Sequence, residues 1–230
     1  MAWVKYTGEP IVREPIAIVG SSGLRSIGKI AVEHLVEGLR PKLVAELYSP
    51  HFPILYQTRP SYVSHPDLPG RAGIELKGGK VGLPRVEFYS LASPPLLITK
   101  GYHANFKGQY KVANRVLDLY QEFGVGRMIV LAGYGGERGE VCCAATDSEL
   151  LEELKKHGID KGYEGPFYGF SGLVFGLGML RKIRGVCLFG KTQPNFEDPE
   201  YPDPIATGAV LEKLNTLLNL NIDLSKLHGE

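Results

Sequence analysis

The sequence predicts an α/β fold: a single three-layer α/β/α domain over residues 1–230, with a core of about 14–220 and a mixed, mostly parallel sheet. Three observations carry this. Strand-length apolar runs alternate with segments of helical period for most of the chain. The runs Arg127–Ala132 and Gly185–Phe189 are almost wholly apolar, as strands are when helices cover both faces of a sheet. One hairpin-rich stretch, near 73–91, interrupts the alternation.

Residues 1–15 form a mixed arm with a short edge strand at Ile11 and Val12. Ile16–Val19 is the first buried strand, and Gly20-Ser21-Ser22-Gly23 is a tight turn of small residues and glycines that accept positive φ. Ile27, Ile30, Ala31, Leu35, Gly38 and Leu39 then share one helical stripe, which Pro41 ends. With the strand Leu43–Leu47 this makes a βαβ unit, whose turn opens outside the carboxyl end of its first strand, where α/β sheets hold ligands or partners. In Tyr48-Ser49-Pro50-His51-Phe52-Pro53 the prolines hold an extended strand exit. His51 and Phe52, with Tyr62 in the polar, proline-rich loop 57–72, are candidates for an interaction surface; for His51, which has no visible partner, a rigid strand exit is the favoured reading over a binding-site wall.

Gly73–Leu76 and Val81–Leu83 flank the pair Gly78-Gly79 as a hairpin, followed by strands at Arg85–Leu91 and Leu96–Lys100. A helix at about Tyr110–Phe123 carries Val112, Val116, Leu119 and Phe123 on one face and stops at Gly124. Thr146 and Glu149 have the spacing of a capping box, with Thr146 as the cap, and that helix ends at His157-Gly158. Gly169-Phe170-Ser171-Gly172 opens a short apolar helix, whose glycines at 172, 176 and 178 imply close backbone contact with a neighbour. Asp203 caps a final helix that begins at Pro204.

Composition narrows the function. There are 26 basic and 25 acidic residues, a net charge of +1, so nothing marks a nucleic-acid or anionic-membrane partner. Cys142, Cys143 and Cys187 are too few for a disulfide framework or a metal knuckle; they fit small core positions in a reducing compartment. With no leader-like or membrane-length apolar run, a cytoplasmic protein is expected. Scarce Asn and Gln resemble a thermophile's usage.

Several motifs invite chemistry and fall short of it. Gly23-Leu24-Arg25-Ser26-Ile27-Gly28-Lys29 follows a phosphate-binding loop until Ile30, where the Ser or Thr that coordinates Mg²⁺ is required. The glycines at 20, 23 and 28 do not make a dinucleotide fingerprint, and no nucleophile elbow is present. Glu137, Glu140 and Asp147 could be catalytic carboxylates, but read more simply as solvated loop charges. No metal cluster assembles from the six histidines, and neither a metal nor a cofactor is expected. One idea survives: if the turns Gly20–Gly23 and Gly169–Gly172 lie side by side, Gly20, Ser21, Ser22, Gly23, Ser171 and Gly172 would form a small ligand pocket of helix-start amides and hydroxyls, suited to an anion or a nucleotide-like molecule.

The turn and VAELYSPHFP, then LLITKGYHANFKGQYKVANRVLDLYQEFGVGRMIVLAGYGG, then FYGFSGLVFGLGMLRKIRGVCLFG and the closing LLNLNIDLSKL, together resemble the PAC2 family, named for a proteasome assembly chaperone and common in archaea. The resemblance spans residues 14–227. It implies a three-layer fold similar to nucleoside phosphorylases, homo-oligomers and, for some members, the bringing together of proteasome α subunits. Chaperones of that kind dock through a C-terminal hydrophobic-tyrosine-any motif. This chain ends Lys226-Leu227-His228-Gly229-Glu230 without that tyrosine, so docking by such a tail is not expected. Ser21 and Ser22, and His103-Ala104-Asn105, also depart from the family's usual residues, so a shared ligand site would be altered. The function expected is that of a non-catalytic, oligomeric interaction protein; the alternative is a small-molecule binder or enzyme using the two glycine-serine turns.

Overall fold

The computed structural model describes residues 2–9, 12–52, 74–102, 107–197 and 201–227. Strands β1 (Trp3–Tyr6), β2 (Ile16–Gly20), β3 (Lys42–Tyr48), β6 (Val86–Leu91), β7 (Leu96–Lys100), β8 (Arg127–Gly135), β9 (Val141–Ala145) and β10 (Arg184–Thr192) form one eight-stranded sheet in the order β1-β3-β6-β7-β2-β8-β10-β9. A separate hairpin, β4 (Glu75–Lys77) and β5 (Lys80–Gly82), turns through Gly78 and Gly79, both at positive φ, as a two-residue hairpin turn requires. β2 pairs in parallel with β7 and β8, and β8 with β10, while β1-β3, β3-β6, β6-β7 and β10-β9 are antiparallel. The strands β3, β7, β2, β8 and β10 therefore share one direction.

Helices α1 (Ile27–Leu39), α3 (Ser148–Lys156) and α5 (Pro204–Leu218) cover one face of this sheet, and α2 (Gln109–Glu122) and α4 (Gly169–Leu180) the other. Strand periodicity assigns the core between them. In β2, Ala17 and Val19 join Val112, Val116 and Val174, while Ile18 joins Ala31, Leu35 and Leu211; β8 divides in the same way, with Met128 and Val130 on one side and Ile129 and Leu131 on the other. This two-sided burial is why the central strands are apolar throughout.

Three expectations change, and one strand goes beyond them. The N-terminal edge strand is Trp3–Tyr6: Trp3 stacks on Tyr48 with centroids 5.7 Å apart, and Lys5 pairs with Glu46 at 3.1 Å. Ile11 itself lies outside the described residues, and Val12 sits in a bend. The βαβ unit is open: β2 and β3 run the same way but β6 and β7 lie between them, because the β6–β7 hairpin returns to occupy the gap. Val141–Ala145, with no alternation and two alanines, shows little strand signal, yet it forms the far edge against β10. The cap of α3 is Asp147, which accepts from the Leu150 amide at 3.0 Å; Thr146 Oγ1 instead accepts from the Gly185 amide at 3.0 Å. The cap at Asp203, accepting from the Ala206 amide at 3.1 Å, stands where it was expected.

Candidate functional site

β2 ends at Gly20 because the main chain there must pass directly over α1. A Cβ on Gly20 would fall inside the Gly28 carbonyl, and one on Gly28 inside the Leu131 carbonyl, so glycine is required at both. From opposite faces of the sheet the turn after β2 and the start of α4 meet: Ser21 Oγ and Ser171 Oγ are 3.0 Å apart and both residues are buried. Gly169, at φ 84°, starts α4 in a conformation suited to glycine. Gly101 packs beneath the same junction; a Cβ there would meet Phe170 at 2.6 Å and Ser21 Cβ at 2.8 Å. The two glycine-serine turns are thus neighbours.

They border a cleft of about 480 Å³ at the carboxyl ends of β2 and β8. Ser21, Ser22, Gly23 and Ser171 line one side. The opposite wall, Tyr134, Tyr163, Phe167 and Tyr168, was not anticipated. Its rings pack edge to face, Tyr134 and Tyr163 with centroids 4.8 Å apart at 72°, and Tyr163 is backed by Phe189, stacked at 4.8 Å and 15°. The signal was available in the run Tyr163–Phe170, YEGPFYGF, where a Gly/Pro loop carries more rings than a solvated turn has use for.

The cleft's rim is anchored by buried polar groups. Arg25 is 9% exposed, with φ 53°, and donates to the carbonyls of Tyr201 and Gln193 at 2.6 Å and of Pro202 at 3.2 Å. The arginine of the Gly23–Lys29 stretch thus ties down the main chain at Gln193, Tyr201 and Pro202. Asp203, fully buried, accepts from Arg138 Nε at 2.9 Å, from Thr192 Oγ1 and from the Ala206 amide. Burial alone would raise its pKa, but Arg138, Thr192 and the helix amide together hold it below the usual carboxylate range. Tyr168 on the cleft (80% exposed), and Phe196 (93%), Tyr201 and Ile205 near the positions held by Arg25 and Asp203, are exposed.

Other candidates go elsewhere. Phe52 is 5% exposed and packs edge-on to Tyr102 at 5.1 Å, so it belongs to the core and not to a contact surface. His51 rests against Gly108, where any side chain would collide with its Cβ. Tyr62 lies outside the described residues. Glu137 is exposed, Glu140 pairs with Lys191, and Asp147 caps α3 and pairs with Arg184 at 3.0 Å. The cysteines are buried; desolvation pushes the Cys143 thiol up to about 11, with Cys142 and Asp160 adding to it, which removes it as a nucleophile at neutral pH. Gly172 and Gly178 do meet Phe167 and Met128 closely, whereas Gly176 faces open space. Among the described residues no group of three His, Cys, Asp or Glu is placed to hold a metal, and no helix is long and apolar enough to cross a membrane.

A second cleft, of about 440 Å³, lies near the far edge of the sheet and is lined by Glu140, Asp160, Lys161, Lys191, Glu212 and Lys213.

The family model described as "PAC2 family" matches residues 17–230. An uncharacterized protein of Methanocaldococcus jannaschii is 30% identical over 228 residues, spanning 95% of this chain and 79% of that one. Among solved structures, Pyrococcus furiosus PbaB, described as an archaeal proteasome activator, superposes with a TM-score of 0.80 at 29% identity, covering 98% of this chain and 92% of PbaB. P. furiosus PbaA, described as an archaeal homolog of proteasome-assembly chaperone, gives a TM-score of 0.75 at 22% identity, covering 97% of this chain and 89% of PbaA, a likeness of fold.

Proposed function

Since the chain belongs to the PAC2 family, we propose that it is a non-catalytic, oligomeric interaction protein that takes part in proteasome assembly or activation, the roles given in the descriptions of PbaB and PbaA, with proteasome α subunits, which the family resemblance implies for some members, as its partners. The observation that carries this reading is a set of exposed apolar side chains: Tyr168 on the cleft, and Phe196, Tyr201 and Ile205 beside the positions that Arg25 and Asp203 hold in place. Exposed aromatic clusters of this kind are the usual anchors of protein interfaces. The junction inside the cleft supports the same reading. Ser21 and Ser171 are bonded to each other, and among the described residues no acid, base or metal cluster stands beside them to activate either hydroxyl.

The test is native mass spectrometry of the chain purified after co-expression with archaeal proteasome α subunits. A defined homo-oligomer carrying α subunits is the expected result; a homo-oligomer that never retains them overturns the assignment.

A further inference from the structure

A docking rim accounts for the exposed rings but not for the enclosed ones. Tyr134, Tyr163 and Phe167 are half-buried and face a space of about 480 Å³, inside the roughly 300–1,000 Å³ typical of small-molecule sites. Their positions are fixed: Tyr163 sits between the edge of Tyr134 at 4.8 Å and the face of Phe189 at 4.8 Å, Phe167 meets Phe189 at 5.1 Å and 67°, and the Tyr163 hydroxyl donates to the Pro166 carbonyl. A wall so braced has the shape of a site before any ligand arrives.

The lining also states what it would reject. Among the described residues around the cleft there is no Asp, Glu, Lys, Arg or His. Arg25, the candidate cation in the turn, has its guanidinium committed to the carbonyls of Gln193, Tyr201 and Pro202. The amides that an anion would need are partly spent as well: the Ser26 amide bonds the Gly23 carbonyl at 2.9 Å, and the Ser21 and Ser171 hydroxyls are shared with each other and with the Ser22 carbonyl. A charged molecule entering here would give up its hydration without a counter-charge. A flat ring would instead gain ring-on-ring contact along the wall, with the main chain at the end of β8 beside it to face a polar edge.

We propose that this cleft binds a small, uncharged molecule built on a planar aromatic ring. The proposal does not depend on the assembly role and would hold whether or not α subunits are the partner.

Indole serves as the neutral probe, indole-3-acetate as its anionic counterpart and choline as a cation that aromatic cages also favour. Saturation-transfer NMR and titration calorimetry of the full chain are expected to show saturable indole binding, with indole-3-acetate and choline at least about tenfold weaker. Gly23→Trp blocks the space without strain, because Gly23 is in extended backbone at φ 174° and a Cβ there meets nothing within 4 Å; it should abolish indole binding while leaving the thermal transition in place. Tyr168→Ala, at a position 80% exposed, should weaken binding with the fold intact. Absence of saturable indole binding, equal binding to Gly23→Trp, or preference for either charged probe would each overturn the proposal.

Discussion

The two clefts have nearly equal volumes, about 480 and 440 Å³, and opposite linings. One is walled by rings and closed by main chain packed through glycines, with no Asp, Glu, Lys, Arg or His among its described lining residues; the other is ringed by lysines, glutamates and an aspartate. In the second, Lys191 pairs with Glu140 and Lys213 donates to the Gly158 carbonyl at 3.3 Å, so two of its lysines are partnered by their own chain. Volume therefore does not mark a site here. Apolar rings held open at the carboxyl end of a sheet do, because water is a poor solvent for them, whereas a charged crevice is stable when wet.

The comparison can be broken in order of expected effect. Asp203→Ala removes the buried partner of Arg138 and Thr192 and the cap of α5 together; a loss of about 3–5 kcal/mol in urea unfolding is expected, as for other broken buried pairs. Gly28→Ala drives a methyl into the Leu131 carbonyl and should cost roughly 1–3 kcal/mol or more, while Gly23→Ala, three-sided by open space, should stay within about 0.5 kcal/mol. Equal costs at the two glycines would show that the turn is not packed as described. In the charged cleft, Lys191→Ala should leave the unfolding midpoint almost unmoved, since Glu140 is 52% exposed and the pair is screened by solvent.

The smallest effect is a pH response. The Arg184 guanidinium, together with the Leu150 amide, holds Asp147 down to about 2, against an ordinary 3.8. Folded Asp147 thus binds its proton less readily than the unfolded chain does, and its contribution is complete above the ordinary value and is lost as the pH falls toward about 2. Asp203, also lowered, acts in the same direction. A thermal transition that declines between about pH 4 and pH 2, and declines less steeply in Asp147→Asn, is the expected outcome.

Much of the fold was legible because burial on both faces leaves a plain mark. Ile16–Val19, Arg127–Ala132 and Gly185–Phe189 could hardly be anything but central strands, and Asp203-Pro204 signalled a helix start through local chemistry alone. Where partners are distant the signal failed. Val141–Ala145 is a strand because β10 offers it an edge, and Thr146 lost the cap to Asp147 because Gly185 and Arg184 claimed the neighbouring groups. The same holds at the cleft. Its serine side was visible as two glycine-serine turns, and their meeting at 3.0 Å follows from helices that leave opposite faces of one sheet. Its aromatic wall was not, since Tyr134 and Tyr163 lie on separate segments and only β8–β10 pairing and the loop before α4 bring them together.

The most direct measurement sets the two surfaces against each other in the α-subunit complex. Tyr168→Glu with Phe196→Glu alters the aromatic rim, and Lys161→Glu with Lys213→Glu alters the charged cleft. By native mass spectrometry beside the unaltered chain, the rim variant should lose α subunits while keeping its own oligomer, and the charged-cleft variant should retain them. Retention by the rim variant together with loss by the charged-cleft variant would contradict the claim that the aromatic edge is where this protein meets its partner.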